Sequence, residues 1–283
     1  MLLRSVEYVR PGSIDEAVRL LGTHGNARAL AGGQSLVNVM KLRVASPDVL
    51  VDLADLEELR TIEPSPDGGL ELGPMATYSQ LMLSAHVAER RPILGEVAAQ
   101  IADVQVRNRG TLGGNVCSND PTNHYPPLMV TMGATMTVRG PDGERTVAAD
   151  EFFLGVYMTA VGPGELLTKI TIPPASGGDG FAAVAIGKDG TGIVTAAATL
   201  TGDGTVDSAR IAIGCVAAVP VRATQMEQAL AGHEATEERA RAAVQGLGTS
   251  LDPPADVHAS AAYRRHLAEV LAVRAVVQAA GEE

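Results

Sequence analysis

Two stretches decide how this chain reads: Ala31-Gly32-Gly33-Gln34-Ser35-Leu36 and Thr111-Leu112-Gly113-Gly114-Asn115. In each, a glycine pair follows an apolar or β-branched run and leads at once into a polar side chain. Lacking Cβ atoms, such a turn accepts positive φ and lets another backbone or a ligand come close. Where it feeds a helix, unpaired N–H groups and the helix dipole favour a phosphate. Two such turns on one cleft could grip a pyrophosphate from both sides. Each taken alone also reads as a tight connection between a strand and a helix.

Working outward, Ser13-Ile14-Asp15-Glu16 has the form of a capping box, and Ile14, Ala17, Val18 and Leu21 share a helical face that Gly22 is expected to end. Ala27 to Ala31 reads as a buried strand, Leu36 to Met40 as a helix, and Val49 to Leu53 as the next strand. That is a small βαβ unit with the first glycine pair at its strand-to-helix turn. Beyond residue 55 come a strand at Leu70-Glu71-Leu72, a second capping box at Thr77-Tyr78-Ser79-Gln80, and an alanine-rich helix from Pro92 to about Ala102. Gln105 to Arg109 leads into the second glycine turn. Pro141-Asp142-Gly143 predicts a hairpin between strands at 135–138 and 145–147, and a strand over 165–172 stops at Pro173-Pro174.

The glycine-rich segment Ala175-Ser176-Gly177-Gly178-Asp179-Gly180 is the expected domain boundary. Strands are expected near 181–186, 193–200 and 209–213, then helices near 222–231, 235–247 and 258–280. This order suggests an α+β C-terminal unit. The domain reading is 1–175, divided into a βαβ lobe over 1–55 and a mixed lobe over 56–175, followed by 181–283.

Composition narrows the function. A chain of 283 residues builds its core without disulfide or metal staples. Cys117 and Cys215 are the only cysteines, and neither has a second one nearby, so a four-thiolate iron-sulfur or zinc site needs a partner. The net charge of -11 argues against sequence-independent nucleic-acid binding. No run approaches the ~18 apolar residues of a membrane span, and Met1 to Ser5 lacks the form of a secretory signal, so a cytoplasmic protein is expected. With aromatics at 3%, a flat cofactor would be covered mainly by aliphatic side chains.

Other constellations are sparse. The histidines, His24, His86, His124, His233, His258 and His266, show no metal-ligand pairing, so no metal site is assigned. There is no P-loop, no nucleophile elbow and no G-x-G-x-x-G fingerprint. Arg107 and Arg109 read either as phosphate or partner contacts or as an ordinary solvated pair, and Cys117 either lies near the cofactor or fills a small buried space. No side chain is assigned a catalytic role.

The two glycine turns, the basic segment Met40-Lys41-Leu42-Arg43, the run Gln105-Val106-Arg107-Asn108-Arg109-Gly110, and later Tyr157-Met158-Thr159 and Gly164-Glu165-Leu166-Leu167-Thr168 together resemble the FAD-binding medium subunit of the molybdenum hydroxylases. The likeness is above all to the carbon monoxide dehydrogenase medium-subunit family, and it spans nearly the whole chain. It implies an α+β protein: a two-part vanillyl-alcohol-oxidase-like (PCMH-type) FAD-binding domain, then a C-terminal α+β domain of the carbon monoxide dehydrogenase flavoprotein type.

Carried over position by position, the resemblance sets Ala31, Gly32, Gly33, Gln34, Ser35 and Leu36 on one side of the FAD and Thr111, Leu112, Gly113, Gly114 and Asn115 on the other. Asp120 and Leu167 are further contacts it implies. His124 stands where many relatives carry an aspartate near the flavin, and Lys188, in Gly187-Lys188-Asp189-Gly190, is a flavin-edge candidate in a segment less basic than in relatives.

The implied function is electron transfer within a heterotrimer. Molybdopterin sits on a large partner and 2Fe-2S clusters on a small one, while FAD on this chain passes electrons to oxygen, a quinone or NAD. The alternatives are a self-contained FAD oxidoreductase and a non-catalytic assembly subunit.

Overall fold

The computed structural model describes residues 2–187 and 190–281. The chain opens with β1 (Glu7–Val9), α1 (Ile14–Thr23), β2 (Ala27–Leu30), α2 (Leu36–Lys41) and β3 (Val49–Asp52). These strands form a parallel sheet in the order β1-β3-β2, with Leu30 opposite Asp52. The expected βαβ unit is therefore present, and the first glycine pair lies at the carboxyl end of β2. Ser13 caps α1 by accepting the Glu16 N–H at 3.2 Å. The helix continues through Gly22 to Thr23, where its end packs close to Gly164.

The next lobe runs through β4 (Ile62–Pro64), β5 (Leu70–Leu72), α3 (Tyr78–Leu83), α4 (Ala85–Arg90), α5 (Ile93–Ala99), α6 (Val104–Arg107), α7 (Leu112–Ser118) and α8 (Tyr125–Thr131). It continues with β6 (Thr135–Gly140), β7 (Gly143–Ala148), α9 (Ala149–Phe152), β8 (Phe153–Gly155), β9 (Met158–Thr159) and β10 (Leu166–Ile172). The order β4-β5-β10-β6-β7 makes an antiparallel sheet, and β8 and β9 form a separate hairpin. Pro141 and Asp142 span the β6–β7 turn between paired Gly140 and Gly143, as their chemistry predicts. α5 stops at Ala99 instead of reaching Ala102. There Ala102 takes φ +46, Asp103 caps α6, and the Arg107 guanidinium donates to the Ile101 and Ala102 carbonyls.

The last third holds β11 (Asp179–Ile186), β12 (Thr191–Thr201), β13 (Ser208–Gly214) and β14 (Val221–Arg222) in one antiparallel sheet, in that order. Then follow α10 (Thr224–Leu230), α11 (Glu237–Ala243), α12 (Leu247–Ser250) and α13 (Ala261–Ala279), with α13 laid across β11 and β12. The helix expected over 235–247 is broken at Gly246, whose φ is +87. The long last helix begins at Ala261, where Ser260 caps it.

The glycine-rich segment after Ala175 is not a loose linker, because Asp179 and Gly180 already belong to β11. A Cβ on Gly180 would come within 2.9 Å of the Ala275 carbonyl carbon, so small residues serve close packing against α13. Beside it the buried Arg91 donates to Asp179 at 2.7 Å and to the Pro173 and Pro174 carbonyls. The two halves are thus pinned across their joint. Among the described residues no helix is long and apolar enough to cross a membrane.

Candidate cofactor site

The first turn depends on a reversal of the backbone at Gly33, whose φ of +73 would strain any residue with a Cβ. Its carbonyls are served from within: Gln34 Nε2 donates to the Gly32 oxygen at 3.2 Å and Asn38 Nδ2 to the Gln34 oxygen at 2.7 Å. Its donors are not. Among the described residues, the N–H groups of Gly32, Gly33, Gln34 and Ser35 meet no protein acceptor. Ser35 precedes α2 without a side-chain hydrogen bond to it.

The second turn is the opposite case. Leu112 N–H donates to the Ala76 oxygen at 2.9 Å, Gly113 to the Pro74 oxygen at 2.8 Å, and Asn115 to the Thr111 oxygen at 3.1 Å. Gly114 N–H donates to Thr111 Oγ1 at 3.0 Å, capping α7. Thr77 and Thr111 form an antiparallel bridge, and Tyr78 N–H donates to the Gly110 oxygen at 3.1 Å. A Cβ on Gly113 would lie 2.9 Å from Pro74 Cα. This glycine therefore serves contact with the strap before α3, and the expected symmetry of amide donors gives way to a division. The first turn offers N–H groups, and the second offers a firmly held surface.

The two turns touch. A Cβ on Gly32 would come within 2.8 Å of the Arg109 carbonyl carbon and 2.9 Å of Gly110 Cα. Asn115, only 7% exposed, donates from Nδ2 to Tyr78 Oη at 3.0 Å, while its Oδ1 is sealed from solvent with no partner. Such a buried acceptor is completed by a ligand hydroxyl or an ordered water. Unpaired amides on one turn and an orphaned acceptor on the adjoining one suit a diphosphate with its polyol tail. Ala31 and Leu36 flank the first turn half-buried, and Leu112 is fully buried in the main core.

The remaining candidates are placed less uniformly. Asp120 ties its own loop together, accepting from Thr122 N at 2.9 Å and Oγ1 at 2.8 Å, and from Tyr157 Oη at 2.9 Å. His124 is 3% exposed, with its ring 5.5 Å from that of Phe181. Burial pushes its imidazole down to about 4, against a weaker upward pull from the Thr122 backbone, so it is neutral at pH 7. Leu167 lies in β10, 2% exposed in the same core as Leu112. Lys188 lies outside the described residues.

Arg107 is half-buried, and its Nη1 donates to the Ile101 and Ala102 carbonyls. Arg109 is exposed and makes no ion pair among the described residues. Cys117 packs against the main core, and burial pushes its thiol up to about 12, which suits a neutral filler. The strap Pro74 to Tyr78 was legible as a capping box, not as the support of the second turn. Nothing local to the sequence pointed to Gly192, whose N–H reaches the Thr122 oxygen at 3.4 Å and brings the C-terminal sheet to the loop after α7.

A family model described as the FAD binding domain in molybdopterin dehydrogenase matches residues 4–175. The chain belongs to that family. A second model, the CO dehydrogenase flavoprotein C-terminal domain, matches residues 181–279 of this FAD-binding chain. The nicotine 6-hydroxylase medium subunit of Paenarthrobacter nicotinovorans is 35% identical over 99% of this chain and 99% of its own length. The carbon monoxide dehydrogenase medium chain of Afipia carboxidovorans is 39% identical over 99% of this chain and 98% of its own. Among solved structures, quinoline 2-oxidoreductase from Pseudomonas putida 86 superposes with a TM-score of 0.94 at 35% identity, over 99% of each chain. The α+β architecture and the flavoprotein assignment that the resemblance implied are those of the family.

Proposed function

We propose that the chain holds FAD where its two glycine turns meet, as the electron-transfer subunit of a molybdenum hydroxylase. Gly32, Gly33, Gln34 and Ser35 donate main-chain N–H groups to the diphosphate. Thr111, Gly114 and Asn115 face it from the second turn, and Asp120 fixes the loop that follows. Residues 1–175 form the FAD-binding unit and 181–283 the unit that closes against it. The observation that carries this reading is the row of four turn amides without protein acceptors, set against Arg109 and Gly110.

The redox chemistry is the flavin's, and the chain's own share is binding, orientation and exclusion of water. A small partner chain bearing iron-sulfur clusters supplies electrons from a molybdopterin centre on a large partner. Oxygen, a quinone or NAD takes them up. A complex with a large and a small chain accords with the relatives' designation as medium subunits, and its place is the cytoplasm.

The test is the visible spectrum and flavin content of the purified complex and of the chain alone. Stoichiometric FAD, lost or weakened at least tenfold in Gly32→Ala, is expected. No flavin bands after reconstitution with FAD would overturn the binding assignment, and turnover of organic substrates by the chain without partners would overturn the electron-transfer role.

A further inference from the structure

Tyr78, the first residue of α3, is buried and grips the second glycine turn at both of its ends. Before the turn, its N–H donates to the Gly110 oxygen at 3.1 Å. Its ring lies so close that a Cβ on Gly110 would come within 2.7 Å of Tyr78 Cε2. After the turn, its Oη accepts from Asn115 Nδ2 at 3.0 Å. Gly110 is also the residue that Gly32 packs against, so Tyr78 holds the second turn at its point of contact with the first.

The ring itself has little freedom. It stacks on Tyr125, with centroids 5.9 Å apart and planes 8° from parallel, and the fully buried Tyr125 is anchored through its Oη to the Leu94 oxygen at 2.7 Å. Burial pushes the Tyr78 phenol up to about 12, against a weaker downward pull from Asn115, so it keeps its proton at pH 7.

The Asn115 side chain is not needed to build α7. Thr111 already caps that helix, and the Asn115 main-chain N–H already donates to the Thr111 oxygen. A carboxamide carries two N–H donors and an acceptor oxygen. Among the described residues that of Asn115 spends one donor on Tyr78 and leaves Oδ1 and the second N–H without a protein partner. Unmet buried polar groups cost stability, so a residue that only filled this space would be apolar.

The groups left over choose the ligand. A diphosphate oxygen only accepts and would leave Oδ1 unpaired, and the first turn already offers it donors. A hydroxyl donates and accepts, so it uses both free groups of the amide. We propose that Tyr78 is a positioning residue for the cofactor: it fixes the Asn115 amide so that its free oxygen and N–H meet one sugar hydroxyl of FAD beside the diphosphate. This inference rests on the function proposed above. The hydroxyl belongs either to the ribityl chain or to the adenosine ribose, which share this chemistry.

The test titrates the full chain, stripped of flavin, with FAD and with FAD analogues that each lack one hydroxyl of the ribityl chain or of the ribose. Tyr78→Phe keeps the ring, its stack and its main-chain bond, and removes only the partner of Asn115. It should weaken FAD by about fivefold, the worth of one hydrogen bond, and should leave the affinity of one analogue unchanged. In an Asn115→Ala background it should weaken FAD no further. A ribityl analogue as the insensitive one assigns the contact to that chain, and a ribose analogue to the adenosine half. Tyr78 acting only on the stability of the fold would weaken FAD and every analogue alike, and that result, or an unchanged affinity for FAD, would overturn the proposal. Failure of the unsubstituted chain to bind FAD at all would instead remove the functional reading, and this inference with it.

Discussion

Gly32 rests against the carbonyl group of Arg109, seventy-seven positions later in the chain, so closely that a methyl group on residue 32 would sit 2.8 Å from the Arg109 carbonyl carbon. Neither atom can yield easily. Gly110, next in sequence, is fixed from both sides, its N–H donating to the Val106 oxygen at 2.6 Å and its oxygen accepting from Tyr78 N–H at 3.1 Å. The contact therefore sets the spacing between the two glycine turns.

Gly32→Ala should push the turns apart. Overpacking of this kind costs about 1–3 kcal/mol, and the FAD dissociation constant should rise at least tenfold because the donors of one turn lose register with the other. Urea unfolding and flavin titration measure the two effects separately. A variant with unaltered affinity would show that the contact does not shape the site.

Thr111→Val should remove the cap on Gly114 N–H while keeping the side-chain shape. Loss of such a cap costs about 1 kcal/mol, and Thr111→Ser should restore most of it. Equal stability of the Val and Ser variants in denaturant would refute a capping role.

Breaking the joint between the halves should cost more. Arg91 and Asp179 are nearly sealed from water, their side chains 3% and 8% exposed, and removing one member of a buried pair typically costs ~3–5 kcal/mol. Asp179→Ala should show a loss of this order in chemical unfolding, and the double variant Arg91→Met/Asp179→Val should recover much of it. Additive losses would mean that the pair is not coupled.

His124 makes stability depend on pH in a defined window. Its pKa is about 4 in the folded chain, because burial disfavours the charged imidazole, and about 6.5 when unfolded. Above pH 6.5 both states are neutral at this position. As pH falls from 6.5 toward 4 the unfolded chain binds the proton first, so up to roughly 3 kcal/mol of stability is lost across that window. Urea midpoints between pH 7 and 4 should fall less steeply for His124→Phe than for the unsubstituted chain. Parallel slopes would exclude the histidine as the source.

Much of the fold could be read directly because its signals are local. Ser13 and Thr77 announce helices by capping, and Pro141-Asp142-Gly143 bends a hairpin through its own dihedral preferences. Less was legible where distant contacts set the local structure. The glycines Gly177, Gly178 and Gly180 marked the expected domain boundary, but not that the segment packs against Leu200, Ala275 and Ala279. Arg107 read either as a phosphate or partner contact or as a solvated side chain, and the fold adds a third set of partners, the Ile101 and Ala102 carbonyls.

What the sequence by itself determined was the pair of glycine turns, the elements around them and, through their order, the family. Only the tertiary structure decided that the turns are unlike each other. A glycine pair leaves amides accessible in either turn, but whether those amides stay unpaired depends on which carbonyls the fold brings to them. The Pro74 and Ala76 carbonyls accept from Gly113 and Leu112, while among the described residues none accepts from the N–H groups of Gly32 to Ser35.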